Sequence, residues 1–199
     1  MDNFVLSSRG ELYKLNVLTP YMTNHAGFIA GGCFKNLFNG EQIKDIDVFF
    51  KCESDYKAAV FHYENDPTYK QYYSNKKVTA FRAQTGIVVE LIKSTFGHPK
   101  EILSKFDFSI VKFAYYKVDV GDSIRYSAMY HEKFFEHLHL KKLVLNETIH
   151  FPISTFERSL RYTKYGYGLC KESKRNLLNA IRNTPTPDDL SNELYNGID

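Results

Sequence analysis

Residues 29–50, IAGGCFKNLFNGEQIKDIDVFF, carry the most specific structural pattern in this chain. The apolar run GFIA at residues 27–30 is typical of a buried strand, and it stops at Gly31-Gly32, as a strand does before a tight turn. Residues 33–38 predict the first turns of a helix. Residues 43–50, IKDIDVFF, alternate and then become continuously apolar, which predicts a strand with one end at solvent. The stretch therefore predicts strand, glycine turn, short helix and strand.

The glycine turn and the start of the helix predict a phosphate site. Gly31 and Gly32 carry no side chains, which lets backbone N–H groups come close to an anion. The N-terminal end of the following helix also favours phosphate. Lys35 lies one turn into that helix and is within reach of a phosphate oxygen.

Two carboxylates on the second strand predict a metal site. Asp45 and Asp47 are two residues apart, so both side chains point to the same face of a strand. Carboxylate pairs of this kind bind hard divalent cations such as Mg²⁺. A phosphate cradle beside such a pair is the arrangement that nucleotidyl or phosphoryl transfer needs. A lone Gly-Gly or Asp-x-Asp is usually structural, but the ordered combination is far more specific.

The stretch resembles the signature of polymerase-β-like nucleotidyltransferases, and more narrowly the head domain of bacterial poly(A) polymerases and class II CCA-adding enzymes. Gly31, Gly32 and the segment Lys44–Val48 match that signature. Lys35 stands where the family has arginine, which keeps the charge but not the bidentate fork. Asn36 replaces the family's aspartate.

Three later stretches resemble the same family in order and spacing: residues 88–93 (VVELIK), 105–115 (KFDFSIVKFAY) and 157–167 (ERSLRYTKYGY). The resemblance implies roles for one more carboxylate and four nucleotide-side residues. Glu90 would be the third carboxylate, as a metal ligand or as the base for the acceptor hydroxyl. The nucleotide-side residues would be Lys105, Asp107, Arg158 and Arg161.

The chain also departs from the family. Phe106 and Val111 replace an arginine and an asparagine that help to hold the nucleotide, and the base-reading motif is absent at residues 151–155. We expect no helical body and tail of the kind that grip tRNA. The chain is thus expected to be a short head of the phage-encoded or toxin type.

The whole sequence predicts an α+β fold, a mixed sheet flanked by helices with a C-terminal helical neck. We expect a head domain over residues 1–150, and a neck and frayed tail over 151–199. Most of the remaining elements can be assigned from periodicity and breakers. Strands are predicted at 77–82, 87–93, 124–130 and 142–145, and helices at 53–63, 99–116 (mostly), 131–139, 152–165 and 172–182.

Composition indicates an ordinary globular protein. The 199 residues carry 26 basic and 23 acidic side chains, a net charge of +3 that does not by itself indicate a nucleic-acid binder. Residues 157–182 hold seven of the basic and two of the acidic residues, either as a solvated helical face or as a phosphate-contacting surface. The lack of a long apolar run or signal segment predicts a soluble, cytoplasmic protein.

These observations predict an enzyme that transfers a nucleoside monophosphate from an NTP to an acceptor hydroxyl and releases pyrophosphate. We expect Mg²⁺ or Mn²⁺ as the cofactor and an RNA 3′ end, bound through the basic neck, as the first candidate acceptor. A protein or a small molecule is the other candidate acceptor. The competing hypothesis is a degenerate head that binds nucleotide, RNA or a partner protein without turnover.

Overall fold

An eight-stranded mixed sheet is the centre of the structure, a computed structural model that describes residues 3–8, 12–121, 123–146 and 148–184. Its strands are β1 (Phe4–Ser8), β2 (Phe28–Ala30), β3 (Asp45–Phe49), β4 (Tyr69–Ser74), β5 (Val78–Ala83), β6 (Val88–Ile92), β7 (Phe113–Val120) and β8 (Ser123–His131). They lie in the order β1-β8-β7-β2-β3-β6-β5-β4. The pair β3 and β6 is parallel and the other neighbours are antiparallel.

Helices flank this sheet, which confirms the predicted α+β architecture. They are α1 (Cys33–Asn39), α2 (Glu53–Asn65), α3 (Pro99–Lys105), α4 (Phe134–His139), α5 (Pro152–Lys164) and α6 (Lys171–Arg182), with 3₁₀ helices at Tyr13–Met22 and Ser109–Val111. Two short strands, β9 (Lys142–Leu143) and β10 (Gly168–Leu169), pair in parallel. This pair connects the segment after α4 to the segment between α5 and α6. The expected helices at 33–38, 53–63, 152–165 and 172–182 are confirmed to within two residues.

The turn between β2 and α1 requires glycine. Gly31 has a φ of +106°, a backbone conformation that residues with a Cβ rarely adopt. Its N–H donates to the Phe113 carbonyl at 3.1 Å, which ties the turn to β7. Gly40 ends α1 in the left-handed region with a φ of +72°. These two glycines fix where the helix begins and ends beside β3.

The core forms on the face of β3 opposite the carboxylates. Ile46 and Val48 are fully buried, whereas Asp45 is exposed and Asp47 is half-buried. Alternation along a strand sends successive side chains to opposite faces, so the apolar pair seals the core and the acidic pair faces outward. At the end of the strand the carboxylate face is buried as well, because Phe49 continues the face of Asp45 and Asp47, is fully buried, and stacks on Phe28 of β2 with ring centroids 6.0 Å apart.

The prediction that residues 99–116 are mostly helical was wrong. Helix α3 ends at Lys105, a short 3₁₀ turn follows, and β7 begins at Phe113. Phe113 and Tyr115 are fully buried between β2 and β8, where pairing on both sides satisfies the backbone. Tertiary pairing thus outweighed the local helical spacing.

Besides β7, the strands β1, β4 and β10 were not predicted, and β1 and β4 lie at the two edges of the eight-stranded sheet. The expected fraying of the tail falls on residues 185–199, which are outside the described residues. The domain boundary near residue 150 stays a prediction. None of the helices in the described ranges is long and apolar enough to cross a membrane.

Candidate functional site

The three predicted carboxylates meet at one cleft. Glu90 on β6 is paired in register with Asp47 on β3, and Asp45 is paired with Val88 one step along the same face. All three acidic side chains line a cleft of about 360 Å³. The parallel pairing of β3 and β6 is what brings Glu90 beside the Asp-x-Asp pair.

The chemistry of this donor set fits a magnesium ion, because carboxylate oxygens are the ligands that hard divalent cations prefer. Asp45 and Asp47 supply two such groups on one face. Glu90 accepts a hydrogen bond from the Tyr73 hydroxyl at 2.5 Å. Within the described residues, no three His, Cys, Asp or Glu side chains already stand in a metal-binding cluster. The role of Glu90 as a third metal ligand stays a prediction.

Two neighbouring groups respond to the charge of these carboxylates. The pKa of the Tyr73 hydroxyl is raised, first by burial and then by its bond to Glu90 and the charges of Glu90, Asp47 and Asp45. Burial, followed by the charges of Asp47 and Asp45, also raises the pKa of the Cys33 thiol. Cys33 is therefore a protonated, packed side chain, and the cleft floor carries a concentrated negative potential.

Lys35 brings a positive charge to the same cleft; we call the basic residues that line the cleft its basic wall and the three carboxylates its acidic wall. The residue is only 5% exposed, and its Nζ donates to Glu41 Oε2 at 2.7 Å. The same Nζ lies 5.0 Å from the centroid of the Tyr165 ring. Burial, the largest influence on Glu41, raises its pKa, but the bonds and charges from Lys35, Asn39 and Lys141 outweigh burial and lower it. Lys35 is thus held ready at the cleft by an ion pair and an aromatic ring.

Helix α5 supplies two arginines to the cleft. Arg158 is buried, and its Nε and Nη2 donate to Asp107 Oδ2 at 2.8 and 2.6 Å. Arg161, one turn later, is exposed. Both side chains line the cleft. The helix therefore presents one buried arginine that is fixed by Asp107 and one exposed arginine.

Three other residues of the predicted site, Gly31, Lys105 and Asp107, lie outside the cleft or are bonded to other groups. Gly32 lines the cleft, but the Gly31 N–H is already engaged by β7. Lys105 ends α3 and donates to Thr95 Oγ1 at 2.8 Å. Asp107 accepts from Arg158 and from the Phe108 N–H, so it positions α5. Neither Lys105 nor Asp107 lines the cleft.

The sequence analysis assigned no role at this site to Glu41, Tyr73 or Tyr165. Glu41 was the easiest to find, since it is an acidic residue between the helix that carries Lys35 and the Asp-x-Asp strand. Tyr73 lies on β4, a strand that was not predicted. Tyr165 lies just past the end of α5, where the sequence does not show which way the ring points.

The fold and the cleft define a class. The chain has the fold of a polymerase-β-like nucleotidyltransferase head. A CCA-adding enzyme solved in complex with CTP matches 95% of this chain with a TM-score of 0.64 at 14% identity, over 49% of its own length. The Thermotoga maritima CCA-adding enzyme solved with a tRNA matches 95% of this chain with a TM-score of 0.57 at 16% identity, over 50% of its length.

The family is defined more closely by sequence. The pattern of the Gabija anti-defense 2 family matches residues 6–141, and the chain belongs to this family. A relative called Gabija anti-defense 2, from Bacillus phage SPbetaL7, is 29% identical over 156 residues. That match spans 77% of this chain and 37% of the relative, so the chain spans well under half of the relative's length.

Proposed function

We propose that this protein is a metal-dependent nucleotidyltransferase that moves a nucleoside monophosphate from an NTP to an acceptor hydroxyl. One observation carries the proposal: Asp47 and Glu90 are in register on adjacent parallel strands, with Asp45 on the same face, and they line the same cleft as Lys35 and Arg161. Negative and positive groups that line one cleft suit a triphosphate bridged to a cation.

The basic wall would bind the triphosphate. Lys35 and Arg161 are the two cations best placed for this, since one stands on α1 beside Gly32 and the other on the exposed side of α5. Arg158 would support them from beneath, because Asp107 already takes up two of its N–H groups. Charge-assisted hydrogen bonds from such groups to phosphate are short and strong.

The acidic wall would activate the acceptor. Asp45 and Asp47 would hold Mg²⁺, which when bound polarises the phosphates and offsets their charge. The acceptor oxygen forms a bond to the α-phosphorus, and the bond from that phosphorus to the bridging oxygen breaks. Pyrophosphate leaves with the electron pair, and Glu90 takes the proton of the acceptor hydroxyl.

The name of the family suggests what the transfer serves. We propose that this chain acts against the Gabija defence, as the phage relative's name says of that protein. Transfer of a nucleotide onto a host molecule would change its charge and shape. The RNA 3′ end remains our first candidate acceptor, followed by a protein and a small molecule.

A second candidate function is binding without turnover. Phe106 and Val111, which stand where similar enzymes have an arginine and an asparagine, are both buried in the core. Glu41 already neutralises Lys35. These two observations favour a head that holds a nucleotide or a partner in the cleft and goes no further.

Incubation with Mg²⁺ and each α-labelled NTP, together with lysate separated into RNA, protein and small-molecule fractions, tests the proposal. We expect label to enter one fraction with the wild type. The double variant Asp45→Asn/Asp47→Asn should reduce transfer on the order of a hundredfold or more, because the carboxylates no longer hold the cation. The matched control is Asp119→Asn, an exposed aspartate on β7.

Transfer that is equal in the double variant would contradict the proposed mechanism. A folded wild type that binds Mg²⁺-NTP without labelling any fraction would support the binding function instead. Loss of transfer in the control as well would show that the assay responds to surface charge rather than to the cleft.

A further inference from the structure

An irregularity in β4 brings two adjacent tyrosines to one surface, where Tyr73 contacts Glu90. Gln71 pairs with Phe81 and Tyr73 pairs with Ala80, which leaves Tyr72 as an extra residue in the strand. Such a β-bulge redirects side chains and is common beside functional sites. Tyr72 and Tyr73 are adjacent in sequence, and their rings lie 5.5 Å apart at a steep angle. Both rings therefore serve one surface, whereas a regular strand would send them to opposite faces.

The register of the sheet shows which surface this is. Tyr73, Ala80, Glu90 and Asp47 pair in one row across β4, β5, β6 and β3. Residues in one row of a sheet share a face, and the Tyr73 hydroxyl reaches Glu90. The tyrosines thus extend the acidic wall of the cleft toward the edge of the sheet.

A second row adds positive charge to the same face. Lys70, Arg82, Val88 and Asp45 are paired across the same four strands. The Arg82 guanidinium lies 4.1 Å from the centroid of the Tyr72 ring, so the two side chains stack. Tyr72 is 55% exposed and Tyr73 36%, and both basic residues are exposed as well.

The two regions are continuous. A second cavity, also of about 360 Å³, is lined by Lys44, Arg82 and the turn at Thr85-Gly86. Lys44 and Gln42 line both this cavity and the cleft. A nucleic-acid backbone that runs from the carboxylates past Lys44 would therefore reach Arg82 next.

We propose that Lys70, Tyr72, Tyr73 and Arg82 form a platform that binds the unpaired 3′ segment of a single-stranded nucleic acid. The strand would stack bases on the tyrosines, lay its phosphates on the two cations and direct its terminal hydroxyl at Glu90. Rings beside guanidinium and ammonium groups are how proteins bind single strands, since every base has a face to stack. The claim that the bound strand is the acceptor rests on the proposed nucleotidyl transfer. The claim that the platform binds a single strand does not depend on it.

Charge complementarity selects this occupant. The platform joins exposed aromatic rings to cations, which match the alternation of bases and phosphates along a strand. A duplex keeps its base faces hidden, so it would leave the rings unused. Asp45 and Glu90 repel the negative charge of the nucleic acid, except where basic groups and a bound cation offset it. This repulsion favours contact along the β4–β5 side, where Lys70 and Arg82 lie.

Fluorescence anisotropy of a labelled 12-nucleotide oligouridylate with the whole chain tests the platform. Tyr72→Ala should weaken binding about 5- to 150-fold, the range seen when one stacking residue is removed. Tyr72→Phe keeps the ring and should bind as the wild type does. Tyr13→Ala, which removes a tyrosine that is 70% exposed on the first 3₁₀ helix, is the matched control and should have no effect.

The dependence on salt separates stacking from charge. Arg82→Gln and Lys70→Gln should each lower the slope of log affinity against log salt by about 0.7, because each loses one phosphate contact to a single strand. Tyr72→Ala should weaken binding without changing that slope. The double variant Asp45→Asn/Asp47→Asn should bind the strand at least as tightly as the wild type.

The platform would be overturned if Tyr72→Ala bound the strand as tightly as the wild type, if Tyr72→Ala lost affinity for NTP alone, or if the wild type bound a duplex of the same length equally well. Transfer to RNA with an unchanged acceptor KM in Tyr72→Ala would also overturn it while leaving the proposed transfer intact. Strand binding that depends on Tyr72 in a protein without transfer activity would support the platform and refute the transfer.

Discussion

The pairing of Lys35 with Glu41 controls how strongly the cleft attracts phosphate. Lys35 is the buried cation of the basic wall, and Glu41 is the partially exposed group that balances it, with side-chain exposures of 6% and 43%. A triphosphate that reaches Lys35 must compete with this carboxylate. Glu41 therefore lowers the affinity of the cleft for anions while it holds Lys35 in place.

Glu41→Gln should raise the affinity for Mg²⁺-NTP about two- to fivefold, since it removes one competing charge in a partly solvated pair. Isothermal titration with a non-hydrolysable NTP measures this change. The control Glu136→Gln removes the partner of Lys133 on the exposed surface of α4, and NTP affinity should not change. Weaker NTP binding by Glu41→Gln would mean that Glu41 chiefly positions Lys35.

At the scale of elements, the packing of α5 depends on one buried ion pair. Arg158 and Asp107 have side-chain exposures of 9% and 10%, and they join α5 to the segment that follows α3. The Tyr162 ring, one turn further along the helix, packs against Phe108 with centroids 5.5 Å apart. The pair and the ring contact together set the distance of Arg161 from the carboxylates.

Asp107→Ala should lower the free energy of unfolding by about 3–5 kcal/mol, because it leaves the Arg158 charge buried without its partner. Denaturant unfolding followed by circular dichroism measures the loss. Replacing both residues, as Asp107→Ala/Arg158→Met, should restore part of the stability, since the unpaired charge is gone. Glu53→Ala, which breaks a solvent-exposed pair with Lys57 on α2, is the control and should change little. An equally unstable double variant would contradict this account.

At the scale of the whole molecule, a buried histidine holds the entry to β2 against the core. His25 Nδ1 accepts the Gly27 N–H at 3.0 Å, and Nε2 lies 3.2 Å from the Tyr21 carbonyl. Burial, and then the charge of Lys117, lowers the pKa of His25 to about 4. Neutral His25 satisfies both backbone groups, whereas the charged form loses the acceptor at Nδ1.

The stability of the fold should consequently fall in mild acid. The unfolded chain binds a proton at His25 below its ordinary pKa of 6.5, but the folded chain does so only near 4. The stabilisation is complete above the first value and is lost as the pH falls toward the second. The wild type should lose about 3 kcal/mol more than His25→Gln between neutral pH and a pH near 4. Parallel pH profiles for the two proteins would contradict the role of His25.

The elements that depend only on neighbouring residues could be predicted from the local sequence. The alternation around Asp45 and Asp47 set both carboxylates on one face and Ile46 and Val48 on the other, because the period of a strand is fixed by its backbone. The glycines at 31 and 40 fixed the bounds of α1 through their left-handed conformations. The position of Glu90 beside the aspartates was predicted from the family resemblance and not from periodicity.

Which groups meet in the cleft could not be predicted locally, because it depends on pairing between distant segments. The register that sets Glu90 beside Asp47, and the two-sided pairing that makes a strand of Phe113–Val120, join segments far apart in sequence. The partners of Arg158 and Lys35, and the bulge at Tyr72, belong to the same class. A local pattern states which face a residue occupies, but not which strand lies next to it, because that choice depends on how the whole sheet buries its apolar face.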